Sequence, residues 1–208
     1  MLIVKVDNLS RNAMARPDIK DARREQILDA FETCVATYGV EGATLAKTAD
    51  EAGLARPLVR HNVGNRQELI DALVERFLER SRETLDGFME ALPKTKRAVA
   101  AIEWLFSPDY SDKHLAKISY ALITSSADNP ALAVRMQNWL DDFITRLTGL
   151  FSKEFPNANP EKIKAVATGI TGIYFNVESF RTLGNIDALI ASSKQAALML
   201  LASIQVEG

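Results

Sequence analysis

From Asp18 to Tyr38 the apolar residues Ile27, Leu28, Phe31, Val35 and Tyr38 recur three and four apart, the repeat of a helix with one buried stripe. Gly39 and Gly42 close that helix and turn the chain into Thr44, whose hydroxyl is placed to cap a second one. In this second helix Leu45, Ala49 and Ala52 share an apolar face, and Gly53 ends it, because glycine enters the left-handed conformation without a steric penalty. Leu54 can fill the corner before a third helix, from Ala55 to Val63, which the pattern turns inward through Leu58 and Val59. Gly64 breaks it, and Asn65 with Glu68 three residues on forms a capping box for a fourth. That helix carries Leu69, Leu73, Phe77, Leu85, Phe88 and Leu92 on its inner face and stops at Pro93. At about 27 residues it spans some 40 Å, enough to belong to two parts of the molecule at once. Beyond it, caps and prolines punctuate helices over 94–106, 112–127, 130–155, 161–183 and 186–205, with no strand period or repeat between them. The pattern predicts an all-α fold.

The second and third helices, joined at Gly53, read as a helix-turn-helix. The third is short and polar on its outer side, where Arg56, Pro57, Arg60, His61 and Asn62 gather. Arginine can grip O6 and N7 of guanine, and asparagine can bridge N6 and N7 of adenine, so this face suits the major groove of double-stranded DNA. Pro57, Arg60, His61 and Asn62 are the candidates for base contact, and Thr44, Lys47, Arg56 and Arg66 for phosphates. A solvated side chain is the alternative for His61. Residues 1–17 show no sustained period and read as a flexible arm. Its Arg11 and Arg16 either reach the DNA backbone or minor groove or belong to a ragged polar terminus, and Met14 is a second possible start.

Bulk charge adds little to this picture: 25 Lys and Arg stand against 27 Asp and Glu, a net charge of −2. The DNA reading therefore rests on where charge is placed. The single Cys34 excludes an internal disulfide and lies on the apolar side of the first helix, which favours a packed small hydrophobe over a redox sensor. The two histidines, His61 and His114, sit in no metal-ligand spacing, and no nucleophile elbow, phosphate-binding glycine loop or dinucleotide fingerprint occurs. Neither an enzyme, a metal site nor a cofactor is expected, and His114 is expected at the surface. No run approaches the roughly twenty apolar residues of a membrane span, so the expected place is the cytoplasm.

The segment AGLARPLVRHNVGNRQEL, preceded by REQILDAFETCVATYGVEGATLAKTADE, resembles the DNA-binding head of the TetR family of bacterial transcription regulators. The resemblance covers roughly residues 23 to 77 and includes the Gly39 and Gly42 loop, Thr44, the turn at Ala52 and Gly53, and Leu69. Where members commonly carry Ser, Gly, Tyr and Phe, this chain has Ala55, Pro57, Arg60 and Val63, so an operator sequence does not carry over. The resemblance implies a head over 18–66 and, over 67–208, a helical body for effector binding and dimerisation. It implies a homodimeric repressor that holds a palindromic operator and leaves it when a small, often apolar or aromatic effector fills the body. Trp104, Tyr120, Trp139, Phe143 and Tyr174, with Asn176 or Glu178 as polar partners, are the candidates for that pocket, ordinary core being the other reading of each. Ile163, Val166, Ile170, Ile173, Tyr174 and Val177 have seam-like spacing, and Gly169 and Gly172 would let a second helix approach, which gives the dimer a warrant of its own, burial of both faces within one monomer being the other reading. The alternatives are a regulator of the same fold that activates or answers to a protein partner, and a helical ligand-binding protein without DNA function.

Overall fold

The computed structural model describes residues 19–107 and 112–204, and every regular element among them is helical. The expected arm over 1–17, with Arg11, Arg16 and Met14, lies outside the described residues. Helix α1 (Ile19–Gly42) buries Ile27, Leu28, Phe31, Cys34 and Val35 along its predicted stripe. Gly39, at φ 71° and ψ 172°, interrupts it and redirects the chain so that Val40 enters the core. Tyr38, expected on the stripe, is 54% exposed instead, because the end of α1 borders a cleft rather than another helix. Lys47 Nζ rests 3.8 Å above its ring.

Helix α2 (Leu45–Ala52) is capped as expected: Thr44 accepts from the Lys47 amide, and Gly53 closes the far end at φ 66°. Helix α3 (Arg56–Val63) has no side-chain cap at Ala55 and carries Pro57 in its first turn. Its inward face is Val59 and Val63, one turn apart, which rotates Leu58 out to 38% exposure, contrary to the expectation that it points inward. Helix α4 (Arg66–Ala91) is capped by Asn65, which accepts the Glu68 amide and donates through Nδ2 to the Glu68 carboxylate.

Helix α5 (Arg97–Leu105) starts three residues later than predicted, since Lys96 takes a left-handed conformation and Arg97 turns back to donate to Met89 and Leu92 carbonyls at the end of α4. Helix α6 (Lys113–Ser125) is capped by Asp112, α7 (Pro130–Glu154) by Asn129 and α8 (Pro160–Phe180) by Asn159, followed by α9 (Asp187–Ser203). The predicted ends near 127 and 183 fall in tighter 3-10 turns, Ser126–Asp128 and Arg181–Leu183.

Two cores share α4. Its first half, Leu69 to Phe77, packs with α1, α2, α3 and with Ile118, Leu122, Leu132 and Met136 of α6 and α7. Its second half, Leu85 to Leu92, packs with α5, α7, α8 and α9. A polar tie reinforces the first. Glu32 of α1, 5% exposed, accepts from Arg80 at 2.7 Å and Arg76 at 3.2 Å on α4 and lies 3.0 Å from His114 Nε2 on α6. His114 lies at the surface as expected, half exposed, and its Nε2 also meets this buried carboxylate. Burial works against the Arg76 charge, but its hydrogen bonds to Asp29 and Glu32 outweigh that and raise its pKa.

Candidate DNA interface and effector cavity

The helix-turn-helix presents Arg56, Pro57, Arg60 and His61 to solvent, with Asn62 half-buried beside them. Val59 and Val63 hold this face outward by anchoring the opposite one, and Gln26 of α1 fixes the turn by donating to the Ala52 carbonyl at 2.9 Å. Sequence reasoning missed Gln26, because its acceptor lies on another helix. Three expected DNA contacts are engaged internally. Asn62 Nδ2 donates to the Leu58 carbonyl at 2.8 Å, which leaves its second hydrogen and Oδ1 for an adenine edge. Lys47 Nζ donates to the Gly42 carbonyl at 3.1 Å. Arg66 turns inward, donating to Val40 O at 2.5 Å and approaching Ala43 O at 3.4 Å, so it clamps the end of α1 to the start of α4. Thr44 keeps its capping role and is exposed at the edge of the same face.

A cavity of about 540 Å³ lies between α4, α6, α7 and α8. It brings Trp139, Phe143 and Tyr174 together with Phe77 and Phe175, ring to ring. Trp139 lies 5.2 Å from Phe77 and 5.1 Å from Phe175, and Phe143 stacks on Tyr174 at 5.8 Å. Glu178 also lines it, paired at 2.6 Å with Arg181. Trp104 does not line it: on α5 it is 42% exposed and packs on Phe88 at 6.0 Å. Tyr120, 61% exposed, lines a different cleft, and Asn176 lies in a groove between α8 and α9. The sequence reading missed Ser81, whose Oγ is buried without a hydrogen-bond partner on the cavity wall. The signal was present, since Phe77, Ser81 and Leu85 fall four apart on the inner face of α4. The aromatic wall, together with charged lining residues such as Glu75, Arg82, Asp112, Arg135 and Asp142, fits a small ligand that has both an apolar body and polar groups.

Among the described residues no group of three or more His, Cys, Asp or Glu side chains could hold a metal ion, and no helix is long and apolar enough to cross a membrane. Cys34 is 2% exposed, and burial, followed by the nearby Glu51 charge, raises its pKa. A neutral, covered thiol is a poor nucleophile. Iodoacetamide at neutral pH is expected to leave Cys34 unlabelled in the folded protein and to label it fully in denaturant; fast labelling of the native protein would contradict this.

The seam read in α8 turns out to belong to the chain's own core: Ile163, Val166, Ile170 and Val177 are buried there, with Ile173 and Tyr174 packed beside them. Gly169 serves the same core, its position meeting Leu200 Cδ1 of α9 at 3.3 Å from a would-be Cβ. Among the residues α8 shows to solvent are Lys164, Ala165, Thr168, Gly172 and Asn176, and α9 adds Leu189, Ala196 and Met199.

Fold and site together define an all-α helix-turn-helix protein with a ligand-sized chamber in its body. The fold is that of the TetR family of transcription regulators. A TetR-family transcriptional regulator from Cytophaga hutchinsonii matches 91% of this chain and 98% of its own, with a TM-score of 0.73 at 14% identity. In sequence, the HTH-type transcriptional regulator BetI of Escherichia coli is 22% identical over 152 residues, 72% of this chain and 78% of its own length. The HTH-type transcriptional repressor AcnR of Corynebacterium efficiens is 29% identical over 84 residues, 39% of this chain and 45% of its own. No protein-family model matches the chain.

Proposed function

We propose that this protein is a transcription repressor of the TetR type, working in the cytoplasm as a homodimer that holds a palindromic operator and releases it when an effector occupies the aromatic cavity. The observation that carries the reading is the path of α4. Its first turn follows α3 directly, and its middle, from Glu75 to Leu85, lines the cavity. A ligand that moves this wall moves the reader. Two readers in a dimer must sit about 34 to 36 Å apart to enter successive major grooves, so a small tilt of α4 is enough to forbid binding. In this reading residues 18–66 form the head and 67–208 the body, although the head's core also draws on α4 and α6. Arg60, His61, Pro57 and Asn62 face the bases, with Arg56, Thr44 and Lys47 beside the backbone. The effector is a small molecule with an apolar or aromatic body, held by Trp139, Phe143 and Tyr174.

Binding-site selection from random DNA tests the reader. Arg60→Ala is expected to relax preference at one operator position and to cost about 1 to 3 kcal/mol, whereas Lys47→Ala weakens all sequences alike. Identical selected sites for wild type and Arg60→Ala would remove Arg60 from base reading. A chain that selects no site at all at low salt would favour a helical ligand-binding protein without DNA function.

A further inference from the structure

A second cleft, of about 1140 Å³, opens between the end of α1, one face of α6 and the end of α8. We propose that it is a separate ligand site and that it takes an organic carboxylate with an apolar body. Lys113, Lys117, Tyr120 and Thr124 line it from α6 at spacings of four, three and four, the positions of a single helical face. Neither lysine has a carboxylate partner among the described residues.

Across the cleft stands Arg181, in the turn after α8, with its side chain 12% exposed. Its Nε donates to Glu178 at 2.6 Å, while Nη2 is buried with no acceptor. A guanidinium half satisfied at the wall of a cavity is a waiting anion contact, since a turn about its last torsions presents the unmet donor to the cleft. Two of the three acids on the lining, Glu178 and Glu41, are already engaged. Glu178 is held by Arg181, and Glu41 lies 3.4 Å from both Arg66 and the Ser125 hydroxyl. Asp128, exposed on the lining, opposes the second charge of a dianion, which favours a singly charged carboxylate over a phosphate monoester. Val35, Ala36, Val40 and Ala121 form the apolar part of the wall for the body of such a ligand.

The site has a direct mechanical address. Its wall includes Gly39 to Glu41, where α1 breaks on its way to α2, so an occupant touches the head without passing through α4. Glu178 and Ala116 line both cavities, which places the two ligands on opposite sides of one shared wall.

The test needs no DNA and therefore does not depend on the repressor reading. Octanoate, 1-octanol and octyl phosphate are titrated into the full chain by calorimetry. Octanoate is expected to bind about tenfold more tightly than the uncharged alcohol, and more tightly than the phosphate ester. Lys113→Ala/Lys117→Ala is expected to remove most of the preference for octanoate over the alcohol, and so is Arg181→Gln, with Arg181→Lys restoring part of it. Arg146→Ala, a charge that lines neither cavity, leaves octanoate affinity unchanged. The double lysine variant alters exposed side chains, so it decides the matter even where Arg181→Gln unsettles Glu178. No octanoate binding at millimolar concentration, equal affinity for acid and alcohol, tighter binding of octyl phosphate, or an equal loss in Arg146→Ala would each overturn the proposal.

Discussion

Glu32→Ala is expected to destabilise the fold by about 3 kcal/mol, the usual range for stripping one partner from a buried ion pair. For a chain of this size that corresponds to a fall of roughly 6 to 12 °C in the thermal midpoint. Glu32 accepts from Arg76 and Arg80 and meets His114 Nε2, so one carboxylate ties α1 to both α4 and α6. After its removal Arg76, 12% exposed, keeps Asp29 and Glu25, but both stand in solvent and screen it less well than a buried carboxylate. Glu32→Gln preserves the shape and some hydrogen bonds, and is expected to fall between wild type and Ala. Arg146 provides the contrast. Its partners Asp86 and Asp142 are half exposed, and Arg146→Ala is expected to cost less than about 1 kcal/mol. Equal melting of wild type and Glu32→Ala would show that packing alone joins the head to the body.

The places where the sequence could be read are those where a local rule decides. Asn65, Asn129 and Asn159 each accept an amide at a helix start, two of them just before a proline, and Gly53 takes the left-handed conformation that its position demands. Errors enter where a neighbour distant in sequence decides. Leu58 and Val59 are equally apolar, yet a rotation of one residue separates buried from exposed, and the choice is made by α1 and α2. Trp104 and Trp139 look alike in the chain, but only the helix carrying Trp139 faces Phe77 and Phe175 across the cavity. Arg66 and Asn62 each also donate to a backbone carbonyl, Val40 and Ala43 for the one and Leu58 for the other, an engagement that cannot be seen in a list of side chains. The α8 periodicity was a true signal of burial, with the partner being α7 and α9 of the same chain as far as these buried positions go.

That reassignment moves the proposed dimer contact to the outer face of α8 and α9, and it sharpens the test. Met199 is 66% exposed, and a Cβ at Gly172 would meet nothing within 4 Å, so neither position is needed by the isolated chain. Met199→Glu is expected to leave the helical content unchanged and to shift the protein to monomer at micromolar concentration in sedimentation, because a charge facing its own copy in a closed interface is repelled and desolvated. Gly172→Leu is expected to act in the same direction by overpacking a close helix approach. The consequence for DNA is larger than for assembly. A dimer gains its second half-site as an intramolecular step, and losing it lowers operator affinity by at least about a hundredfold. The residual binding should keep the base preference set by Arg60, since each reader is intact. Sedimentation and anisotropy of labelled operator read the two effects separately. If Met199→Glu still sediments as a dimer and holds the operator as wild type does, the pairing surface lies elsewhere on the body; if it is monomeric with undiminished operator affinity, the reading of a palindromic operator held by two heads fails.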